Sequence, residues 1–164
     1  MPDVMPTPQR PWVPPQHRES ADKMFASPAE LAGRSWEQVR QRLASEHTYW
    51  LVTASTDGFP HPRPVWGTWW DGTMVFGLGN GNRTARDLAA NPRAAIHLQS
   101  GEEVVIVEGV AGQIDGMPVG DLWMGKYGVP PPEVDWSTFA LRPHKVLTWA
   151  FKDLPRSITS WRFG

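Results

Sequence analysis

The stretch Asp57-Gly58-Phe59-Pro60-His61-Pro62-Arg63-Pro64-Val65-Trp66-Gly67-Thr68-Trp69-Trp70-Asp71-Gly72 decides the fold. Turn residues bracket a run too long and too rich in aromatic and β-branched side chains for a loop. Asp71-Gly72 is a strong two-residue hairpin signal, sending the chain back into Thr73 to Gly77. Pro60, Pro62 and Pro64 sit at alternate positions, so the strand loses donors along one edge only and can pair along the other. The alternation places His61, Arg63, Val65 and Trp69 on one face and Trp66, Thr68 and Trp70 on the other. Arg63 on such a strand needs a partner, either an anionic ligand or a carboxylate such as Glu102, Glu103 or Glu108.

Working outward, Tyr49 to Ser55 alternates as the preceding strand, with Thr56-Asp57-Gly58 as its turn. Downstream, Gly77-Leu78-Gly79-Asn80-Gly81-Asn82-Arg83 feeds a short helix from Thr84 to Ala90, with Asn82 or Thr84 as N-cap and Asn91-Pro92 as its end. Strands follow at Arg93 to Gln99 and Glu103 to Gly112; Val104-Val105-Ile106-Val107 is apolar on both faces and predicts cover on both sides. Asp115 is expected to cap a helix stopped by Gly128. Two strands, Phe139 to Arg142 and Lys145 to Phe151, and the ending Trp161-Arg162-Phe163 complete the chain. Ahead of the sheet, Ser27-Pro28-Ala29-Glu30 and Ser35-Trp36-Glu37-Gln38 are capping-box patterns, and Trp36, Val39 and Leu43 fall on one helical face. Residues 1–26, with six prolines, read as an extended tail, leaving 27–164 as one domain.

Composition excludes several functions. The 164 residues carry 16 basic and 17 acidic side chains, so no overall field favours nucleic acid or an anionic membrane. No apolar run reaches the roughly 20 residues of a membrane span, and a cytoplasmic location is expected. Without cysteine there is no disulfide, thiolate metal site or cysteine nucleophile. The five histidines show no metal-ligand spacing, no metal is expected, and no nucleophile elbow or paired carboxylates identify a catalytic residue. The 10 tryptophans point to buried aromatic faces or a ring-stacking site, and Trp66, Trp69 and Trp70 fit either.

One constellation carries chemistry. A glycine-rich loop at a helix start presents backbone N–H groups to an anion, and Arg83 adds a bidentate donor; the loop is otherwise an ordinary surface turn. Arg63 and Arg83 could meet on one phosphate. The loop lacks the strand-helix-strand context of a dinucleotide fold.

Tyr49-Trp50-Leu51-Val52-Thr53, then Asp57-Gly58 with Pro60-His61, then Arg63-Pro64-Val65-Trp66-Gly67, and then Arg83 with Ala85-Arg86-Asp87-Leu88-Ala89-Ala90-Asn91-Pro92-Arg93, together resemble the pyridoxamine 5′-phosphate oxidase-like split-barrel family. Glu102 to Gly109, Lys126-Tyr127-Gly128 and Trp161-Arg162-Phe163 extend the likeness to its deazaflavin F420-dependent branch. The resemblance implies a mainly β fold with short helices, a six-stranded antiparallel split β-barrel, as a homodimer with cofactors at the interface. It implies reduced F420, alternatively FMN, passing a hydride to a small unsaturated or aromatic substrate; the proton is read as coming from water, with His61 and Tyr127 as the side chains that could donate it and no catalytic residue assigned. A non-catalytic flavin-binding protein is the rival. The implied cofactor-binding positions are Arg63, Pro64, Val65 and Trp66 on the second strand, and Gly77, Leu78, Asn82, Arg83 and Thr84 around the loop. Gln99 comes from the other subunit, and Trp161 and Arg162 close the pocket. Leu78, Asn82 and Thr84 depart from the hydroxyl, serine and lysine common in FMN-binding members.

Overall fold

The proline-rich N-terminal segment packs on the domain in the computed structural model, which describes residues 5–116 and 118–164. Strand β1 (Thr7–Gln9) pairs antiparallel with residues 160–162 at the other end of the chain, and α1 (Arg18–Met24) buries Ala21. This corrects the expected tail over its described part. A three-residue pairing needs no hydrophobic run, only an unpaired sheet edge, which the C-terminal strand supplies.

Capping chemistry then starts two helices. In α2 (Pro28–Ala32) the Ser27 hydroxyl accepts the Glu30 N–H while the Glu30 carboxylate accepts the Ser27 N–H, a complete capping box. In α3 (Trp36–Ser45) the Ser35 hydroxyl accepts the Gln38 N–H, and Trp36, Val39 and Leu43 form the buried face, as their spacing predicts.

The sheet comprises β2 (Tyr49–Ala54), β3 (Pro60–Val65), β4 (Gly67–Trp70), β5 (Thr73–Gly79), β6 (Arg93–His97), β7 (Glu103–Gln113), β8 (Trp136–Ala150) and β9 (Thr159–Arg162), together with β1. Helix α4 (Arg83–Ala90) follows β5, and α5 (Val119–Tyr127) lies between β7 and β8. The pairing order is β1-β9-β8-β7-β6-β2-β3, with β5 joining β8 and carrying β4. Every pairing is antiparallel. The run 60–70 breaks at Trp66; its first half pairs with β2 and its second with β5, so the sheet curls on itself without a closing ladder. Among the described residues nine strands are present where six were expected, the difference being β1, β9 and the break at Trp66.

Two further expectations change. The strands predicted as Phe139 to Arg142 and Lys145 to Phe151 are one strand, β8, because Pro143 stands opposite Gly109 at a register shift where a missing donor is tolerated. Asp115 does not cap α5, whose N-cap is Pro118; Gly128, at φ +72°, does end it. The Asp71-Gly72 hairpin forms as read, with φ of 46° and 74° at the two turn residues, the primed geometry that matches strand twist.

Leu43, Tyr49, Leu51, Met74, Phe76 and Leu141 are fully buried, each contributing about 1.5–3 kcal/mol by transfer. On the opposite face Trp50 and Val52 register with His97 and Ala95, which continue to Ile106 and Glu108 in β7 and Leu147 and Lys145 in β8. That outer face is half-buried and mostly apolar, interrupted by a Lys145–Glu108 ion pair at 2.5 Å. No helix among the described residues is long and apolar enough to cross a membrane.

Truncating the chain to begin at residue 27 uncovers the β9 edge and should lower Tm by about 3–8 °C in a thermal melt. An unchanged Tm would restore the tail reading.

Candidate functional site

Where the run 60–70 leaves β2 for β5, the two halves splay and open a cavity of about 390 Å³. Arg63, Pro64, Val65 and Trp66 form one wall and Gly77, Leu78 and Gly79 another. Trp123 of α5, the loop through Val129, Pro130 and Pro132, and Trp136 at the start of β8 complete it. Size and composition suit a flat organic ligand: mostly apolar walls with one cation. A larger, more open groove of about 710 Å³ runs beside α3, but its cations are already used: Arg34 donates to Ser157 O and Arg42 to Glu103 O, each at 2.5 Å.

Arg63 is half-buried and has no hydrogen-bond or ion-pair partner among the described residues. The carboxylate alternative therefore gives way: Glu108 pairs with Lys145, and neither Glu102 nor Glu103 pairs with Arg63. A guanidinium is weakly hydrated enough to sit half out of water, but its forked donors await an anion.

Six of the sequence-derived positions line this cavity: Arg63, Pro64, Val65, Trp66, Gly77 and Leu78. The others lie elsewhere. Asn82 serves as the N-cap of α4, its Oδ1 accepting the Ala85 N–H at 2.9 Å. Arg83 is half-exposed, its Nε 3.9 Å from the buried Asp87 carboxylate, which also accepts the Thr53 hydroxyl at 3.1 Å. Arg63 and Arg83 therefore do not share this cavity. Thr84 is fully buried. Gln99 is exposed, with its Nε2 3.5 Å from Thr48 O. Trp161 does not close the pocket: it faces the core, packs 5.5 Å from the Trp36 ring and donates to Thr148 Oγ1 at 3.0 Å. Arg162 is exposed on β9, paired in register with Thr7 and Lys145.

The sequence reading missed Trp123 and Trp136. Trp136 stands opposite Gly79 in register, yet its ring lies back across β5. A Cβ on Gly77 would fall 1.6 Å from Trp136 Cζ2 and 2.3 Å from Cε2. Gly77 is thus required because an indole occupies the space where a side chain would be. The cradle accepts a flat aromatic bicycle, and an unpaired cation stands on the same cavity, so the residues present fit a ring cofactor with an anionic tail.

Behind Trp66 a single peptide group is held from several sides. Lys126 Nζ donates to Gly67 O at 2.6 Å and to Tyr49 Oη at 2.7 Å. Tyr49 Oη in turn donates to Leu43 O at 2.7 Å. Tyr127 Oη accepts the Gly67 N–H at 2.8 Å and lies within donating reach of Gly67 O, at 2.8 Å, and His47 O, at 2.9 Å. The Tyr127 ring stacks on Trp66, with centroids 4.2 Å apart and planes 7° apart. Burial pushes Lys126 down to about 8, since the ammonium loses hydration that favours its charged form. Burial pushes the Tyr127 phenol up, countered by its Gly67 hydrogen bond. His61, the other proposed proton donor, does not line the cavity.

The pyridoxamine 5′-phosphate oxidase family model matches residues 35–150. No curated protein matches the sequence. Among solved structures, an F420 reductase is 22% identical over 65% of this chain and 94% of its own, with a TM-score of 0.54. PhzG from Burkholderia lata 383, in complex with tetrahydrophenazine-1-carboxylic acid, is 17% identical over 94% of this chain and 98% of its own, with a TM-score of 0.56. A heme binding protein from Mycobacterium smegmatis is 22% identical over 79% of this chain and 59% of its own, with a TM-score of 0.58. At these identities the structural likeness carries the fold.

The Lys126 environment has a signed consequence. Its folded value, about 8, lies below the ordinary 10.5, so from pH 8 upward the unfolded chain holds a proton that the folded protein has released. Stability should therefore rise from pH 8 toward pH 10, above which the raised Tyr49 and Tyr127 values oppose it. Urea denaturation should show this rise in the wild type and lose it in Lys126→Met.

Proposed function

The chain belongs to the pyridoxamine 5′-phosphate oxidase family, and from that premise we propose that it is an oxidoreductase holding deazaflavin F420 in the Arg63 cavity. Its substrate in this reading is a small unsaturated or aromatic molecule. The observation that carries the proposal is the unpartnered Arg63 guanidinium on a tryptophan-walled cavity. The chemistry supplied by reduced F420 is hydride transfer to the acceptor, with water providing the balancing proton. This chain's residues bind and orient. Arg63 takes the anionic tail with charge-assisted hydrogen bonds. The 64–66 backbone and Trp66 form the flat wall, with Tyr127 stacked behind it. Trp123, Val129 and Pro130 line the ring face, with Trp123 buried behind it. Holding donor and acceptor in one orientation is the main catalytic contribution asked of the protein.

The Arg63-Pro64-Val65-Trp66-Gly67 run and the closing Trp161-Arg162-Phe163 favour F420 over FMN. The rival is an FMN enzyme or a non-catalytic flavin-binding protein, favoured by a cavity lining without acid or base side chains. The half-buried outer face of β2, β6 and β7 supports a homodimer, since Trp50, Val52, Ala95 and Ile106 present apolar surface together.

Fluorescence titration of the purified protein with F420 and with FMN tests the reading; preferential micromolar or tighter F420 binding is expected, and FMN preference moves the protein to the rival. Arg63→Ala should weaken binding at least tenfold, the equivalent of about 1.4 kcal/mol against wild type, and Arg83→Ala less than twofold. Ile106→Glu should convert a dimer to a monomer in sedimentation; a wild-type monomer would remove the dimer proposal.

A further inference from the structure

Trp136 is built into the cavity in an unusual way. Its indole lies on the bare Cα of Gly77, closer than any side chain at that position would allow. Its Nε1 is buried and has no hydrogen-bond partner. Two other indoles, Trp36 and Trp69, also lack a partner for Nε1, but both stand in the core with edge-on ring neighbours, 5.7 Å apart from each other. Trp161 finds Thr148. Among the described residues, Trp136 is the cavity-wall indole whose unpaired N–H is buried.

The backbone around it is fixed. Asn80 N donates to Asp135 O at 2.8 Å, and the Ser137 hydroxyl bonds Asn80 Oδ1, so the residues on both sides of Trp136 are tied to the end of β5. The loop before it is exposed, Val129 at 45% and Val134 at 76%, which leaves solvent room next to the ring. A rotation about the side-chain torsions would therefore carry the indole off Gly77 without disturbing the β5–β8 pairing. It would also release the N–H to water, relieving the unmet hydrogen bond of the seated position.

We propose that Trp136 is a gate: its indole, seated in the Gly77 cradle, swings out when a planar ring ligand takes that place beside Arg63. The gate rests on the proposed ring-cofactor reading of this cavity. It makes Trp136 a specificity-determining residue, because only a ligand whose ring gains more on Gly77 than the indole loses will enter. A flat heteroaromatic bicycle or tricycle with an anionic tail meets that condition; a purely aliphatic anion does not.

Two substitutions separate a gate from a stacking wall. Trp136→Ala removes the plug, whereas Trp136→Phe keeps a ring on Gly77 but removes the unpaired N–H, so the plug sits more firmly. Association of F420 and of FMN followed by stopped-flow fluorescence should be at least threefold faster, and binding tighter, in Trp136→Ala. Trp136→Phe should bind about threefold more weakly than wild type, with an apo Tm equal or higher. Binding by Trp136→Ala where wild type binds neither cofactor would support the gate as well. Measurable wild-type binding that weakens in Trp136→Ala would overturn the gate and leave the cofactor reading standing. Failure of both wild type and Trp136→Ala to bind either cofactor would overturn both.

Discussion

The architecture depends on one strand run that must serve two partners. Residues 60–65 pair with β2 and residues 67–70 with β5, and the chain changes partner at Trp66. Past the break Gly67 is in register with Phe76 of β5, but β4 pairs with no second strand among the described residues, and a buried peptide group left without partners on that other edge costs about 1–3 kcal/mol per bond. Helix α5 supplies the missing partners through Lys126 and Tyr127, which together engage both the N–H and the carbonyl of Gly67. The cavity exists because the run splays there, and it stays open because that peptide is held.

The same clamp explains why the titratable groups nearest the cavity are not available to it. Lys126 is turned away to Gly67 and Tyr49, over whose ring the ammonium sits 4.7 Å from the centroid. Tyr127 has one proton to give, and His47 O and Gly67 O both lie ready to accept it. Its ring is spent on Trp66, which at 39% exposure needs a rigid backing to serve as a wall. Placing these groups in structure rather than in chemistry is consistent with a site that orients a ring and leaves bond-making to what binds there.

Legibility followed the range of the interactions. Turn and cap signals are local, and the Asp71-Gly72 hairpin, the Ser27 box, the α3 face and the Gly128 stop were all readable. Arg63 to Trp66 were readable because an arginine among apolar strand residues asks for a partner. The seat of Trp136 on Gly77 was not, since the register sets Trp136 opposite Gly79 and only the tertiary fold lays the ring diagonally across β5. Gly77 was readable as a cofactor-binding position only through the family resemblance, and the indole that lies on it had no local signal. Continuity of β8 through Pro143 was hidden for a related reason: proline argues against a strand unless the partner strand shifts register there, and that shift lies at Glu108/Gly109. Packing of residues 7–26 turned on the free edge of β9, which nothing in that segment announces.

The cation and the aromatic walls reinforce one another. An arginine in open solvent would gain little from a phosphate, because water screens the attraction; apolar surroundings lower the effective dielectric and strengthen it several-fold. Full burial would impose the opposite penalty, leaving an uncompensated charge in a dry site. Arg63 sits between these limits, half-buried beside Pro64, Val65 and Trp66, with solvent on one side and rings on the other. A guanidinium tolerates that position better than an ammonium, being more weakly hydrated and able to lie against a ring face. Lysine in its place would draw toward water or a carbonyl, as Lys126 does nearby, and the cavity would lose the forked donors whose geometry suits a bidentate anion.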